Sequence, residues 1–236
     1  MAKGRRARGR GTPRRSQDHT ERAYRGIRQM LFFNEITPGQ KLHYRDLAER
    51  LGMSPTPVAQ ALKLLEFQGL VRHEPNRGYY LEPVRLEEVR EVYDLRACME
   101  VSLLPDVIAG LDDGGAETLQ QAFECHAAAT RERYLKRRLL ADMELHLTFA
   151  TVAGRPLARR MLRQLFDRLY LKYRAEILFY RPMETAEAEH RVILDRVLAR
   201  DLDGAREAME CHIRNVRDHV LDDIQRNLEE KSTIVF

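Results

Sequence analysis

The chain has 236 residues, 44% hydrophobic and 32% charged, enough for two modest folded domains. No apolar run approaches the roughly 18 residues of a membrane span, the basic stretch Met1 to Arg15 lacks the apolar core of a secretory signal, and Cys98, Cys125 and Cys211 are an odd set without CxxC spacing. The net charge of +4 is unevenly spread, since residues 1–82 hold 16 Lys/Arg against 8 Asp/Glu and the remainder is acidic by 4. A cytoplasmic protein with no disulfide framework is therefore expected. Its basic front half suits a polyanionic partner, although ordinary solvated helix surface accounts for the charge equally well.

Residues 1–17 read as a disordered basic arm, rich in Arg and Gly. A helix is expected from Asp18 or Thr20, with Ala23, Ile27, Met30 and Leu31 at helical spacing and a stop at Thr37-Pro38-Gly39. A second helix covers 44–51, with Leu47, Ala48 and Leu51 on one face and Gly52 as its terminator. Ser54 is placed to cap a third helix that carries Pro57 in its first turn and Val58, Ala61, Leu62 and Leu65 on one side. Two short strands, Leu70–His73 and Tyr79–Glu82, flank the turn Pro75-Asn76-Arg77-Gly78. Helix, helix, turn, helix and hairpin is the order of a winged helix-turn-helix over 18–83, whose later helix enters the major groove.

The remainder is mainly α. Helices are expected near 86–110, 115–130, 132–153, 157–180, 185–200 and 202–229, with Pro105 kinking or splitting the first. They form a six- or seven-helix bundle over 84–230, followed by a tail, 231–236. Within it, Asp142 and His146 lie four apart on one helix face. His190 shares a stripe with Ile193, Leu194 and Val197, and His212 shares one with Ala205, Met209 and Val216. One inward histidine is an ordinary core residue, whereas three with a carboxylate make a metal site worth weighing.

From Thr37-Pro38-Gly39-Gln40-Lys41-Leu42, through Asp46 to Gly52, Ser54-Pro55-Thr56-Pro57-Val58, Ala61-Leu62, Leu65-Glu66, Gly69-Leu70-Val71 and Asn76-Arg77-Gly78, the chain resembles the GntR family of bacterial regulators. The branch it resembles is the FadR-like one, with an FCD ligand-binding domain. Pro55 and Ala59 stand where the family pattern has two arginines that contact DNA, so the resemblance implies an altered operator. Arg45, Ser54, Thr56, Gln60 and Lys63, with His73, Asn76 and Arg77 in the wing, are the candidate contacts; each could also be solvated surface. The arm could add phosphate or minor-groove contacts.

The resemblance also implies a metal held by Asp142, His146, His190 and His212, which match the domain's Asp-x-x-x-His pair and two later histidines; His126 and His219 have no place in that pattern. Three imidazoles and a carboxylate suit zinc first, with nickel, manganese or iron open. One or two free coordination positions would accept a small carboxylate effector. Arg96 matches an arginine that faces the family's effector pocket, and its alternative partner is Glu100, four residues on. The implied protein is a cytoplasmic homodimer on a pseudo-palindromic operator, most simply a repressor. A purely structural metal, direct metal sensing and a metal-dependent enzyme are alternatives. The last lacks a nucleophile motif, a phosphate loop or a general base.

Overall fold

The computed structural model describes residues 13–83, 85–132, 134–173, 178 and 183–233. The chain divides into two units, residues 1–83 and 84–236.

In the first unit, α1 (Pro13–Phe32), α2 (Tyr44–Arg50) and α3 (Pro55–Phe67) pack beside a three-stranded antiparallel sheet. Its strands are β1 (Lys41–Leu42), β2 (Val71–Glu74) and β3 (Gly78–Leu81), in the order β1-β3-β2. Val71 pairs with Leu81 and Glu74 with Gly78, while Lys41 pairs with Tyr80. The core is the apolar face of each helix: Ala23, Ile27 and Leu31 of α1, Leu47 and Ala48 of α2, and Val58, Ala61, Leu62 and Leu65 of α3, all buried.

The three helices stop in one way. After α1, Asn34 N donates to Leu31 O and Glu35 N to Met30 O; after α2, Gly52 N donates to Glu49 O and Met53 N to Ala48 O; after α3, Gly69 N donates to Glu66 O and Leu70 N to Leu65 O. This is the Schellman pattern, which needs a left-handed residue at its centre. Asn34, Gly52 and Gly69 supply it, with φ of 56°, 61° and 68°. The stop of α1 therefore lies at Asn34, ahead of the expected Thr37-Pro38-Gly39. Gly26 serves packing instead: a Cβ there would meet Leu51 Cδ2 at 2.5 Å.

Two expectations at this end are corrected. α1 begins at Pro13, so residues 13–17, expected in a disordered arm, are helical, and neither Asp18 nor Thr20 is the cap. Proline at a helix's first position is favourable because the missing N–H is one the helix never uses. The rest of the arm, residues 1–12, lies outside the described residues. Ser54 occupies the cap position of α3, but its side chain makes no capping hydrogen bond.

The second unit is a bundle of α4 (Leu86–Ala109), α5 (Asp113–Thr130), α6 (Leu135–Val152), α7 (Pro156–Lys172), α8 (Met183–Leu198) and α9 (Leu202–Thr233) among the described residues. α9 lies along α4, and α5 packs on both α6 and α8. α4 runs unbroken through Pro105, so the proline does not split it. α9 continues to Thr233, taking in residues 231–233 of the expected tail. The acidic-glycine segments 112–115 and 201–204 are helix starts. Asp112 Oδ1 accepts from Gly115 N at 2.7 Å and Asp201 Oδ1 from Gly204 N at 3.0 Å, capping α5 and α9. Arg200, at φ 56°, donates to the carbonyls of Ile108 and Leu111 and so ties the α8–α9 turn to the end of α4. No helix among the described residues is long and apolar enough to cross a membrane.

Candidate metal centre and nucleic-acid interface

The bundle interior holds several polar side chains that should be costly there. Arg96, Glu100, His126, His146, His190 and His212 are all at most 3% exposed. Buried polar groups persist where they are mutually satisfied, and most of these are. Glu100 of α4 links two partners: Oε1 accepts from Arg96 Nε at 2.9 Å, and Oε2 lies 2.5 Å from His146 Nδ1. Glu189 Oε2 lies 2.9 Å from His212 Nδ1. A carboxylate can only accept here, so both Nδ1 atoms carry a proton.

Ring nitrogens of three histidines converge here. Donor atoms of His146, His190 and His212 lie within 4.8 Å of one another, and His190 Nε2 is 3.2 Å from His146 Nε2. Asp142 Oδ1 is 3.9 Å from His146 Nε2 and 3.6 Å from His190 Nε2, while Asp142 Oδ2 accepts from the Tyr170 hydroxyl at 2.9 Å. Ligand bonds of about 2.0–2.2 Å place neighbouring donors roughly 3.0–3.6 Å apart, so this set is close to metal spacing. Carboxylates behind metal-bound histidines fix tautomer and ring direction, and Glu100 and Glu189 stand in those places.

The electrostatics agree. Burial lowers the His190 pKa well below the ordinary histidine range, and His212, His146 and His126 add to the effect. Burial also lowers His212, against the pull of Glu189. Burial alone would raise Glu100, but His146 and Arg96 outweigh it and bring its pKa down to about 2. Near neutral pH the site thus offers uncharged imidazoles at His190 and His212 beside the anionic carboxylates of Glu100 and Asp142, the protonation states a cation requires. The donor set fits a divalent transition metal.

The four sequence candidates, Asp142 and His146 on α6, His190 on α8 and His212 on α9, are thus brought together. His126 of α5, set aside on the sequence pattern, joins them: its Nε2 is 3.8 Å from Asp142 Oδ1, and its ring centroid is 4.5 Å from that of His190. His219 lies beside the centre and pairs with Asp223, with Nε2 3.2 Å from Oδ2. Of the two readings for Arg96, the structure shows the pair with Glu100. Arg96 also lines a cavity of about 40 Å³ with Tyr93, Asp142, Tyr170 and His212. That volume admits only a few waters. Glu189 and Tyr170 had no sequence signal, because their relevance comes only from which helices pack together.

The candidate nucleic-acid contacts are all exposed in the first unit. Arg45 lies on α2, Thr56, Gln60 and Lys63 on α3, and Ser54 just before it. Ser54, Thr56 and Gln60 share a groove of about 400 Å³ with His19 and Arg22 of α1, which the sequence had not marked. Gln60 Oε1 accepts from Thr20 Oγ1 at 2.6 Å, so its carbonyl is partly committed to holding α1. In the wing, the rings of His73 and Tyr79 pack with centroids 4.7 Å apart at a 40° tilt, and Arg77 is 3.6 Å from Glu74. Asn76 has φ 61° and so has a conformational duty in the turn apart from any contact.

Two family models match. The model described as bacterial regulatory proteins, gntR family, covers residues 19–81, and the FCD domain covers 91–215. The HTH-type transcriptional repressor GlaR of Escherichia coli is 27% identical over 199 residues, spanning 80% of this chain and 90% of its own. The solved structure of E. coli McbR/YncC superposes with a TM-score of 0.75 at 20% identity, over 87% of this chain and 98% of that one. A metal-free FCD domain, from TM0439, matches with a TM-score of 0.50 at 20% identity, over 61% of this chain and 98% of that one. The chain belongs to the gntR family of bacterial regulatory proteins, in its FCD-domain form, and is a DNA-binding transcriptional regulator rather than an enzyme.

Proposed function

We infer that this regulator is a cytoplasmic homodimeric repressor. Its hold on a pseudo-palindromic operator is set by a small organic acid bound beside a divalent transition metal in the helical unit. The observation that carries the reading is the set of buried donor atoms of His146, His190 and His212 converging beside Asp142, with Glu100 and Glu189 behind two of the rings. Asp142, His146, His190 and His212 would hold the ion, with zinc the best fit and nickel, manganese or iron also suited. Bound there, it would supply a fixed positive charge and a Lewis-acid position for a carboxylate.

The chain's own residues divide the remaining work. Glu100 and Glu189 keep Nδ1 of His146 and His212 protonated. Tyr170 holds one oxygen of Asp142 and leaves the other toward the histidines. Arg96, on the wall of the cavity, would receive the second oxygen of an incoming carboxylate. A cavity of about 40 Å³ cannot hold an organic acid without displacing these side chains. That displacement is the difference in effector affinity between two protein states that allostery requires. At the DNA, Arg45, Ser54, Thr56, Gln60 and Lys63 would face the duplex with His73, Asn76 and Arg77 of the wing. The small cavity also favours a second reading, in which the ion itself is the signal.

The test uses full-length protein and an operator selected from random duplexes. DNA affinity is measured by fluorescence anisotropy, metal-loaded and after chelation, with a panel of small carboxylates. Carboxylate-dependent release from DNA only in the loaded protein supports the effector reading. A response to metal alone supports the second. No duplex bound at low salt would overturn both.

A further inference from the structure

We propose that His126 is a fifth protein ligand of the ion held by Asp142, His146, His190 and His212. The inference rests on the metal reading above and adds to it a donor from a fourth helix, α5.

His126 is 2% exposed, and its Nδ1 has no hydrogen-bond partner. A buried polar atom without a partner costs about 1–3 kcal/mol. The residues on the same face of α5, Leu119 and Phe123, are fully apolar and buried. A leucine would fill the position without that penalty, so packing does not account for the imidazole.

The other ring nitrogen shows what does. Nε2 of His126 is 3.8 Å from Asp142 Oδ1, and that same oxygen is 3.9 Å from His146 Nε2 and 3.6 Å from His190 Nε2. Each separation exceeds a hydrogen bond, so none of the three nitrogens is satisfied by Asp142 directly. Each is near the spacing of two donors on one ion. Asp142 Oδ2 is already engaged by Tyr170, which leaves Oδ1 as the shared corner. Donor atoms of His126, Asp142 and His190 lie within 4.8 Å of one another, just as those of His146, His190 and His212 do, and His190 belongs to both groups. The two groups share His190, and Asp142 Oδ1 also lies near His146 Nε2, which joins them into the proposed five-donor centre.

The placement has a consequence for the effector. The cavity wall includes Asp142 and His212 but not His126. With His126 bound, a six-coordinate ion keeps one exchangeable position instead of two. A carboxylate would then attach through one oxygen and leave the other for Arg96.

The experiment titrates Co²⁺ and Zn²⁺ into chelator-stripped full-length protein. Wild type is compared with His126→Ala, His126→Gln and His146→Ala, each checked for native helicity by circular dichroism. One ion per chain is expected in wild type and both His126 variants. Affinity should fall at least tenfold in those variants, and the cobalt ligand-field bands should shift as a nitrogen donor is replaced by water. Unchanged affinity and unchanged bands would overturn the role of His126 while leaving the centre intact. No ion in wild type, or binding that survives His146→Ala unaltered, would overturn the centre itself. Cobalt-loaded wild type with ¹⁵N-labelled histidine decides the matter without any substitution: four directly bound rings are expected, and three would refute the proposal.

Discussion

Glu100 Oε2 sits 2.5 Å from His146 Nδ1, and this contact joins the Arg96 side of the bundle interior to the proposed metal centre. The same carboxylate holds Arg96 through its other oxygen. Glu100→Gln keeps the shape but removes the charge, leaving Arg96 uncompensated in the interior and His146 free to change tautomer. Metal affinity should fall about 10–100-fold, as for other changes behind metal-bound histidines. Stability should fall by about 3–5 kcal/mol. Calorimetric metal titration and urea denaturation measure the two effects, and a variant equal to wild type in both would remove Glu100 from the site.

Chelation gives a second outcome. If the ion binds only the folded bundle, stripping it lowers the melting temperature, and zinc restored at a hundred times its Kd returns about 2.7 kcal/mol. Scanning calorimetry before and after chelation, with zinc added back, reads this directly. A melting curve indifferent to both steps would count against a folded-state metal.

The pH dependence has a separate source. Glu88 accepts from Lys172 Nζ at 2.8 Å and from Arg168 Nη1 at 2.9 Å. Burial raises its pKa, but the two cations outweigh burial and hold it below the ordinary value. On acidification the unfolded chain protonates Glu88 first. Its contribution is therefore complete above the unfolded pKa and is lost as pH falls through the lower folded one. Lys172→Met leaves only Arg168, so acid unfolding should begin at higher pH. Stability at neutral pH should drop by about 2 kcal/mol, less than for a fully orphaned charge. Denaturation curves across the acid range test both.

In the wing, Asn76 at φ 61° separates conformation from contact. Asn76→Ala should destabilise the first unit by about 1 kcal/mol, while Asn76→Gly should not. If Asn76 also touches DNA, both variants lose affinity. If only its conformation matters, Asn76→Gly binds as wild type. Arg45→Ala supplies the comparison: a phosphate contact would weaken binding evenly across sequences and reduce the salt slope by about one.

Much of this architecture was legible because it is periodic. Ile27 with Leu31, and Val58 with Leu62 and Leu65, mark helix faces by spacing alone, and Gly52 and Gly69 mark their ends. β1, two residues long, carries no period to detect and exists only because β3 pairs with it. Pro13 lies in an Arg/Gly-rich tract whose composition carries no helix period, yet it is the first residue of α1. Within the site, Asp142 and His146 could be read as an i, i+4 pair on one helix. Glu189 lies 23 positions from His212, and Glu100 lies 46 from His146. Such pairs form only when helices pack, and no local pattern encodes them. His126 matches no such local pattern, and only its burial beside Asp142 gives it interest.

The wide separation of the histidines along the chain has a further effect. His146 and His190 are 44 positions apart. An ion gripping α6, α8 and α9 would act as a reversible cross-link, closing two long loops of the unfolded polypeptide. If the relation for disulfides carries over, such closures are worth about 3–4 kcal/mol each. The three cysteines are exposed and unpaired with one another, so no covalent bond does this work. Scarcity of the ion would then be felt first as a slackening of the whole bundle, and a protease could detect it before any change in transcription.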